Sequence, residues 1–380
     1  MKLSLGFFLI LDLMMAQPHD GFAQFIQHTI ATDLTGGYQV VAADINRDGK
    51  PDLVALASGM PELVWFENPG WQRHVIASNL SQMINLAVLD SGTHPVIVLA
   101  SGFSSEARKS PGIVSVLEPD VDPCSTWKIR EIDRLPTAHR LRLADIDGSG
   151  VDVVVNAPLT GADTGGPDYR GRTPLVYYRP GEWKRRLIDE ENEGVMHGIA
   201  VIDWDRDGRD EILTASFSGI HLYKLLPDGK WSRTEIAKGD PSPCPRCGAS
   251  DVAVGSTGPR RFLCSIEPWH GNQVVVYTEE QGGWARRVID DSFVDGHTIH
   301  AVDLNRDGQD EIVAGYRGAG GAVYIYYAED SSGKHWQRTV LDKGGVAAAS
   351  CVAVDINGDG RLDIACIGSA SANLKWYESQ

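Results

Sequence analysis

The sequence has few basic residues relative to its number of acidic residues. Its 35 lysine and arginine residues stand against 51 aspartate and glutamate residues, which gives a formal net charge of −16. A protein that binds the phosphates of a nucleic acid needs a basic surface, so this balance argues against a nucleic-acid partner. The acidity instead suggests that the protein carries bound cations.

Long apolar runs are also absent after the N-terminus, so no later segment is a candidate membrane span. The one such run, Leu3–Ala16, follows a lysine and contains one aspartate. A short apolar run after a positive charge is typical of a secretory signal, and cleavage after Ala23 fits the small-residue rule better than cleavage after Ala16. We therefore expect residues 1–23 to be a signal peptide and the protein to be exported to the periplasm or secreted.

Cysteine is scarce as well, with six residues in the chain. Cys244 and Cys247 form a single CxxC, which is a weak zinc pattern without a second one and fits a local disulfide or free thiols better. Cys351 and Cys366 flank an acidic turn and should face each other across two strands. We expect them to be buried thiols rather than a bridge, because cross-strand bridges are often strained.

The sequence is rich in one feature, an acidic turn between two short apolar strands, seen in full in GHTIHAVDLNRDGQDEIVAGYRG at 296–318. Two strands joined by such a turn make an antiparallel hairpin. The turn recurs at intervals of roughly fifty residues, with a variant copy at Asp145 and weaker copies near Asp90 and Gly255. The strong copies begin at Asp44, Asp203, Asp303 and Asp355.

An aromatic strand marks each unit a second time, as in WQRHVI at 71–76 and WQRTVL at 336–341. One copy, FIQHTI at 25–30, precedes the first acidic turn, while the last unit ends without a copy. A closed ring in which the N-terminal strand completes the last unit explains this offset and removes sheet edges. Residues 24–380 are therefore predicted to form an all-β, seven-bladed β-propeller of four-stranded antiparallel blades. An open β array or a β-sandwich is the alternative.

The acidic turns follow an Asp-x-Asn-x-Asp-Gly pattern, in which alternate oxygen side chains point at one centre and glycine gives the bend. Ca²⁺, which takes about six to eight oxygen ligands, is the predicted structural ion, with Mg²⁺ as the alternative. Metal-free Asx turns are the rival interpretation for the weaker copies. The predicted ligands are Asp44, Asn46, Asp48, Asp52, Asp145, Asp147, Asp203, Asp205, Asp207, Glu211, Asp303, Asn305, Asp307, Glu311, Asp355, Asn357, Asp359 and Asp363.

Histidines occupy one repeat position on the face of the predicted propeller that lies opposite the acidic turns. His139, His197 and His297 lie six residues before the first aspartate of their turns, where the innermost strand begins, and Tyr38 holds that position in the first unit. His270 lies in a loop on the same face. We expect the four imidazoles to converge at the channel mouth as exposed side chains, so that replacement by alanine costs within about 0.5 kcal/mol of stability.

Loops on this face supply further polar and aromatic side chains, and loops over a rigid scaffold are where binding residues tend to lie. Aromatic faces stack on sugar C–H groups, and arginine or histidine bonds hydroxyl and carbonyl groups, so the mixture suits a carbohydrate ligand. Arg317 joins the four histidines as a catalytic candidate. The predicted substrate-binding residues are Tyr38, Tyr169, Arg170, Glu267, Trp269 and Tyr316.

The repeats resemble FG-GAP/VCBS propeller repeats over nearly the whole of 24–380. Five segments are also similar to the propeller domain of the aldos-2-ulose dehydratase family: His197–Gly198 (HG), Glu267–Asn272 (EPWHGN), Asp295–His297 (DGH), Tyr316–Gly318 (YRG) and Ala372–Glu378 (ANLKWYE). That family removes water from keto-sugars such as 1,5-anhydro-fructose, and cupin domains that carry a later isomerisation follow its propeller. The sequence ends after the propeller, so the resemblance implies at most the dehydratase half.

Elimination of water next to a carbonyl group needs a base for the α-proton, an electrophile for the enolate oxygen and an acid for the departing hydroxyl. Histidine serves as acid or base near neutral pH, and three neutral imidazoles can instead hold Zn²⁺ with an open fourth position. The sequence leaves both roles open. The predicted function is a carbon–oxygen lyase acting on a keto-sugar or a related carbohydrate. The alternatives are a non-catalytic, calcium-stabilised propeller that binds a glycan or a protein, and a polysaccharide lyase.

Overall fold

The computed structural model describes residues 21–380, which form seven separate four-stranded sheets with antiparallel neighbours. A 3₁₀ turn at Ala107–Lys109 is the only helical element in this part of the chain, and no helix there is long and apolar enough to cross a membrane. The predicted seven-bladed β-propeller is therefore confirmed. The expected signal peptide lies outside the described residues, except for 21–23.

The strands follow the chain in blade order, and the first strand of each blade lies at the central channel. The outer strand of blade 7 comes first, as β1 (Phe25–Ala31). Blade 1 contains β2 (Gly37–Ala43), β3 (Asp52–Ala57), β4 (Leu63–Glu67) and β5 (Gln72–Ala77). Blade 2 contains β6 (Asn85–Asp90), β7 (Pro95–Ser101), β8 (Ile113–Glu118) and β9 (Lys128–Arg134). Blade 3 contains β10 (Arg140–Ala144), β11 (Val153–Ala157), β12 (Arg172–Tyr178) and β13 (Arg185–Glu193).

The remaining blades repeat the same order. Blade 4 contains β14 (Met196–Ile202), β15 (Glu211–Ser216), β16 (Gly219–Leu225) and β17 (Trp231–Ala237). Blade 5 contains β18 (Asp251–Thr257), β19 (Arg260–Glu267), β20 (Gln273–Glu280) and β21 (Gly283–Asp290). Blade 6 contains β22 (Gly296–Val302), β23 (Glu311–Tyr316), β24 (Ala322–Ala328) and β25 (Trp336–Lys343). Blade 7 contains β26 (Ala348–Val354), β27 (Asp363–Gly368) and β28 (Leu374–Ser379), and β1 completes it.

The second strand of a blade is the most buried. Every residue of β3, β15, β23 and β27 is buried, because these strands have a neighbour on each side and a packed blade against each face. Strands covered on both faces are expected to be continuous apolar runs. The fourth strands are the least buried: in β17 three of the seven residues are exposed and only Ala237 is buried. The burial of a strand, and hence its share of apolar residues, therefore depends on the position of the strand within its blade.

The aromatic residue at the start of a fourth strand packs against the preceding blade. Four of these contacts place ring centroids between 5.1 and 6.1 Å apart: Trp71 with Trp376, Trp231 with Tyr177, Trp284 with Trp204 and Trp336 with Phe262. Aromatic pairs at such distances contribute about 0.5–1.5 kcal/mol beyond the burial of their area. The recurring aromatic position thus joins each blade to its neighbour.

The N-terminal strand closes the ring. β1 pairs antiparallel with β28, so that Phe25 lies opposite Ser379 and Thr29 lies opposite Lys375. The residues just before β1 extend the contact to blade 6, where the Phe22 ring lies 4.7 Å from the Tyr327 ring. The outer strand of the last blade therefore comes from the opposite end of the chain, as the offset of the aromatic repeat predicts.

The register of blade 7 corrects one expectation. Cys351 and Cys366 lie directly opposite each other in β26 and β27, with Cα atoms 4.1 Å apart, and they form a disulfide. The preference for buried thiols is wrong, because the strands bring the two sulfur atoms within bonding reach. Cys244 and Cys247 are also joined, which matches the local disulfide considered for the CxxC.

We predict that truncation before Thr32, which removes β1, causes aggregation or loss of the folded monomer. The unpaired N–H and C=O groups of β28 would then form an exposed edge that pairs with other chains. The matched control starts at Gln24 and keeps the strand. Size-exclusion chromatography and thermal unfolding compare the two proteins, and closure by β1 is wrong if both are equally stable monomers.

Candidate active site at the channel entrance

A β-bulge marks the repeat position that the histidines share. In β2, β14 and β22 the pairing register shifts at Tyr38, His197 and His297. A bulged residue is left out of the ladder and its side chain is re-aimed. His139 holds the same repeat position directly before β10. The bulge explains why one residue at the start of each of these strands turns toward the channel entrance.

Four imidazoles from four blades lie together at this entrance. The ring centroid of His197 is 4.9 Å from that of His139, 4.7 Å from that of His270 and 5.2 Å from that of His297. The rings of His270 and His297 are 5.4 Å apart. These distances are short enough for one small substrate or one metal ion to contact several rings, so the predicted convergence is found.

Backbone carbonyl groups of the next blade set the tautomers of two histidines. Nδ1 of His197 lies 2.9 Å from the Ser250 carbonyl oxygen, and Nδ1 of His297 lies 2.6 Å from the Ala349 carbonyl oxygen. A carbonyl oxygen only accepts, so each Nδ1 carries the proton and donates it. Nε2 of both rings therefore presents a lone pair to the site.

The Asp295 carboxylate lies behind the ring of His270, where it acts through its charge rather than through a hydrogen bond. Nδ1 of His270 lies 3.4 Å from Oδ1 of Asp295, and Nε of Arg317 donates to Oδ2 of the same carboxylate over 2.8 Å. The carboxylate favours the proton on Nδ1 of His270, which leaves a lone pair on Nε2. Nε2 of His270 lies 3.0 Å from Nε2 of His197.

The fourth histidine forms a pair with a tyrosine. The Tyr38 hydroxyl group lies 2.8 Å from Nε2 of His139, and the Tyr38 ring lies 5.1 Å from the His297 ring. The guanidinium groups of Arg140 and Arg317 lie 5.7 and 5.9 Å from the Tyr38 ring centroid. Tyr38 therefore stands between the fourth imidazole and two positive charges.

The depth of the cluster differs from the expectation of exposed histidines. His139, His197 and His297 are at most 2% exposed, and only His270 keeps an appreciably exposed side chain, at 29%. Burial lowers the pKa of each buried imidazole well below its ordinary value, and the nearby arginine charges add to the effect. Burial, with the charges of Arg317 and Arg140, lowers the pKa of His270 to about 3. The rings are neutral bases or metal ligands near pH 7, and their replacement by alanine will cost more stability than an exposed site would.

Aromatic side chains form a wall beside the histidines. The Trp269 ring lies 4.9 Å from the His270 ring, 5.1 Å from the Tyr169 ring and 5.7 Å from the Phe217 ring. On the other side the Phe103 ring lies 5.3 Å from the His139 ring. A cavity of about 350 Å³ lies next to this group and is lined by Tyr38, Gln82, Phe103 and Arg317, among others. Its volume lies in the usual range for a small-molecule site.

The structure does not bring three of the predicted substrate-binding residues to the histidines. The side chain of Arg170 is 89% exposed and lies 3.9 Å from Asp168. Glu267 is fully buried, where its carboxylate accepts hydrogen bonds from Tyr277 and Arg286. Tyr316 packs in the core of blade 6 against the rings of Phe293 and Tyr324. Tyr38, Tyr169, Trp269 and Arg317 do lie at the cluster or its wall.

Several residues of the site were not predicted. Asp295, Arg140, Phe103 and Phe217 contact the cluster or its wall through the bonds and ring contacts above. The sequence offered one indication for Asp295, because this residue lies two positions before His297 in the DGH segment. Arg140 directly follows His139, and Phe217 lies between β15 and β16 of the blade that carries His197, whereas Phe103 comes from blade 2 and is brought to His139 by the packing of neighbouring blades.

Three of the imidazoles fit a zinc ion. The ligand atoms of His197, His270 and His297 lie within 4.8 Å of one another. In the described part of the chain, Nε2 of His297 is buried without a hydrogen-bond partner, which costs free energy unless a donor or a cation satisfies it. Zn²⁺ binds three neutral imidazoles with an open fourth position, and a carboxylate behind a ligating histidine is the usual outer support.

The acidic turns lie on the opposite face, and they share one pattern of internal bonds. In blade 1 the backbone N–H groups of Asp48 and Gly49 donate to the Asp44 carboxylate. The bond to the sixth residue of the turn recurs at the carboxylates of Asp145, Asp203, Asp303 and Asp355. The first aspartate therefore fixes the shape of the turn through its bonds to the backbone.

The last acidic residue of a strong turn is buried and fixes the turn to its blade. The buried carboxylates of Asp52, Glu211, Glu311 and Asp363 each accept the backbone N–H of the second turn residue. Burial raises the pKa of Asp52 to about 6 and that of Glu311 to about 8. A buried carboxylate that remains charged needs a positive partner.

The third strand supplies different partners to different turns. In blades 1 and 7 a carboxylate approaches: Glu67 accepts from Asn46 and Glu378 accepts from Asn357, each over 3.1 Å. In blade 3 Arg179 donates to Asp147 over 2.7 Å. In blade 4 the Lys224 ammonium group contacts Asp205, lies 2.9 Å from Asp207 and 3.2 Å from Glu211. The turns of blades 1 and 7 therefore receive an additional carboxylate from the third strand. The turns of blades 3 and 4 receive a positively charged side chain instead.

Comparison with known proteins agrees with the resemblance drawn from the repeats. Residues 111–280 match the family model of the aldos-2-ulose dehydratase β-propeller domain, a range that includes His139, His197 and His270. Residues 303–366 match the FG-GAP-like repeat. Aldos-2-ulose dehydratase of Phanerodontia chrysosporium is 28% identical over 296 residues, which cover 67% of this chain and 32% of the fungal protein.

Integrin alpha chains are also similar to this chain. Integrin alpha pat-2 of Caenorhabditis briggsae is 25% identical over 270 residues, which cover 66% of this chain and 19% of that protein. This chain thus spans about a third or less of the length of these curated relatives. The crystal structure of BBS1N in complex with ARL6DN aligns with a TM-score of 0.60 at 13% identity, over 94% of this chain and 97% of that one, which shows the fold alone. The chain is a seven-bladed β-propeller that matches an FG-GAP-like repeat over residues 303–366 and is similar to the propeller domain of aldos-2-ulose dehydratase.

We predict that His197, His270 and His297 together bind a Zn²⁺ ion at the channel entrance. Replacement of any one of the three by glutamine should weaken zinc binding at least about tenfold, since even the loss of an outer partner of a ligand costs that much. His139→Gln is the matched control, because Nε2 of His139 is already bonded to Tyr38. Isothermal titration calorimetry on chelator-treated protein measures the affinity, and equal weakening by all four variants contradicts the assignment.

Proposed function

We propose that this protein is a carbon–oxygen lyase that eliminates water from a keto-sugar, with 1,5-anhydro-fructose as the representative substrate. The observation that carries the proposal is the convergence of three inward-facing Nε2 atoms with the Tyr38–His139 pair and Arg317 at one entrance. A site that only binds a ligand has no need of so many neutral bases held out of water. The distant relationship to a dehydratase propeller supports the same reaction class.

Tyr38 and His139 are the proposed proton acceptor. Burial holds the pKa of His139 well below its ordinary value, so the ring is neutral and can accept a proton. The Tyr38 hydroxyl group lies 2.8 Å from its Nε2, so the phenol can pass its proton to the ring as the phenolic oxygen takes the α-proton of the substrate. His139 acts on the substrate through Tyr38, and it is a positioning and proton-storing residue.

Arg317 is the proposed donor to the enolate oxygen. Its guanidinium group faces the Tyr38 ring and is fixed by Asp295, so its remaining N–H groups are oriented before the substrate binds. Donors that are fixed in advance at the developing charge are an effective form of transition-state stabilisation. When held by His197, His270 and His297, Zn²⁺ would supply a Lewis acid for a substrate oxygen.

The proton balance of the elimination closes within the site. The Tyr38–His139 pair takes the α-proton, and the β-hydroxyl group needs one proton to leave as water. If the pair returns its proton to the departing oxygen, one C–H bond and one C–O bond break, one C=C bond forms, and one water molecule is released. The enzyme ends in its starting protonation state.

The walls of the site suit a compact, polyhydroxylated substrate. Trp269, Tyr169 and Phe103 present aromatic faces around the histidines, and such faces stack on the C–H groups of sugars. The neighbouring cavity of about 350 Å³ has room for one sugar ring rather than for an extended chain. This size favours a monosaccharide over the long glycan of a polysaccharide lyase.

The activity test follows 1,5-anhydro-fructose by the ultraviolet absorbance of the enone product. We predict that Tyr38→Phe and His139→Gln each lower the rate by about 10²–10⁴, the usual effect of losing a general base. Arg317→Met should lower it by about 10²–10³, as for the loss of one oxyanion donor. His28→Gln on the outer strand of blade 7 is the control and should keep full activity.

Each variant is first checked for folding by its melting temperature, because three of the histidines are buried. If the folded wild-type protein turns over neither this substrate nor a 3-keto-glycoside, but binds one of them at this face, the protein is a carbohydrate-binding propeller instead. Turnover of a uronate glycan in place of the keto-sugars would make it a polysaccharide lyase.

We propose that the turns of blades 1, 6 and 7 bind Ca²⁺ as a structural ion, whereas Lys224 supplies the cation of the blade 4 turn. The buried carboxylates and the approach of Glu67 and Glu378 support ion binding at the first group. At blade 4 the ammonium group already contacts three carboxylates. One turn is therefore independent of calcium.

Chelation should lower the melting temperature, and added Ca²⁺ should restore it, because an ion that binds only the folded protein stabilises it by about 2.7 kcal/mol at one hundred times its Kd. Lys224→Met should lower the melting temperature in chelator and increase the gain from Ca²⁺ relative to wild type. Differential scanning calorimetry measures both effects. An unchanged melting temperature after complete chelation contradicts ion binding, and an unchanged calcium gain in Lys224→Met contradicts the role of the lysine.

A further inference from the structure

A second group of metal-ligating side chains lies on the face of the acidic turns, away from the histidine cluster. Glu67 ends β4, His74 lies on β5 of the same blade, and Cys124 lies in the loop between β8 and β9 of blade 2. One ligand atom from each residue lies within 4.8 Å of the other two. We call this group the Cys124 cluster, and neither the acidic-turn pattern nor the proposed reaction accounts for it.

The loop that carries the thiol is fixed to the neighbouring blade. The backbone N–H of Trp127 donates to the Ile76 carbonyl group of β5 over 2.8 Å, and the Trp127 side chain is buried. Its indole N–H donates to the Pro123 carbonyl group over 2.9 Å. These bonds hold Cys124 of blade 2 above the outer strands of blade 1, so its position beside His74 is part of the fold.

The surroundings of the thiol are negative. Nε2 of His74 lies 2.8 Å from Oε2 of Glu67, and among residues 21–380 no lysine or arginine forms an ion pair with Glu67, Asp52 or Asp122. The Asp122 carboxylate accepts the backbone N–H of Cys124 over 2.9 Å, which adds a further negative charge beside the thiol. Reactive cysteines need an electropositive setting. This cluster therefore does not suit a nucleophile, and its excess negative charge suits a cation.

Blade 7 contains the same arrangement without the thiol. Nε2 of His28 lies 2.8 Å from Oε2 of Glu378, as in the pair of His74 and Glu67, and in each blade the imidazole stacks on a tryptophan at 4.5 Å. The histidine–glutamate pair is therefore a repeated structural feature of these two blades. Blade 1 adds a cysteine from its neighbour, and only there do three ligand types meet.

We propose that Glu67, His74 and Cys124 bind a zinc ion that joins blade 2 to blade 1. Zn²⁺ combines thiolate, imidazole and carboxylate ligands in one tetrahedral site, whereas Ca²⁺ and Mg²⁺ avoid sulfur. Bonds of about 2.0–2.3 Å place the ligand atoms of such a site roughly 3.3–3.8 Å apart. The ligand atoms now lie within 4.8 Å of one another, so a bound ion would draw them about 1 Å closer. Water completes the fourth position.

Cobalt provides a specific probe, because Co²⁺ replaces Zn²⁺ and its thiolate complexes absorb strongly in the near ultraviolet. In the described chain the other cysteines are either joined in disulfides or, for Cys264, fully buried, so a sulfur-to-cobalt band reports on Cys124. The histidine cluster and the acidic turns contain no sulfur ligand. The experiment titrates Co²⁺ and then Zn²⁺ into chelator-treated, thiol-intact protein.

We expect one equivalent of the sulfur-to-cobalt band, displaced by Zn²⁺ and absent in Cys124→Ser, which folds normally because the side chain is exposed. His74→Gln and Glu67→Gln should weaken the metal affinity that the band reports by at least about tenfold. His28→Gln is the matched control in blade 7 and should leave the band unchanged. A missing band in the wild-type protein overturns the site. A band that survives both His74→Gln and Glu67→Gln also overturns it, because the metal would then be held by the thiol alone.

Discussion

The candidate site depends on the closure of the ring, and closure depends on one strand pairing. Tyr38 belongs to blade 1 and His297 to blade 6, yet their rings lie 5.1 Å apart. That contact exists only because β1 pairs with β28 and holds the last blade against the first. A ladder of backbone hydrogen bonds between the two ends of the chain therefore positions side chains that are hundreds of residues apart. No local stretch of this sequence contains the site.

Within the closed ring, the carbonyl groups of one blade determine the chemistry of the next. The Nδ1–H groups of His197 and His297 are taken by the Ser250 and Ala349 carbonyl groups, so the inward nitrogen of each ring has no proton. Surface histidines would exchange tautomers freely in water. Burial removes that freedom and also lowers the pKa of the rings. The fold thus selects one tautomer of each histidine, so that the lone pair lies on Nε2.

Repetition explains what could be predicted from the sequence, and contacts between blades explain what could not. Blade number, the acidic turns and the alignment of His139, His197 and His297 all follow from a constant offset within each unit. Glu267 was misplaced because the EPWHGN segment was interpreted as a loop, whereas Glu267 is the last residue of β19 and its side chain meets Arg286 of the same blade. The burial of the histidines, which were expected to be exposed, was missed for a related reason. They are buried by packing between blades, which has no signature in any single unit.

The charges around the histidines support the proposed enzyme over a site that only binds a ligand. Arg140 and Arg317 lie beside a cluster of neutral rings; Asp295 bonds directly to Arg317, and the buried Asp251 lies near Arg140 and Arg142, so the arginines outnumber the carboxylates. An uncharged sugar gains little binding free energy from this positive field. The field would therefore contribute little in a site that only binds such a sugar. A substrate that passes through an enolate develops negative charge at the carbonyl oxygen, and it is stabilised only at that moment. The positive field therefore supports the proposed elimination of water next to a carbonyl group, a reaction in which such a charge appears.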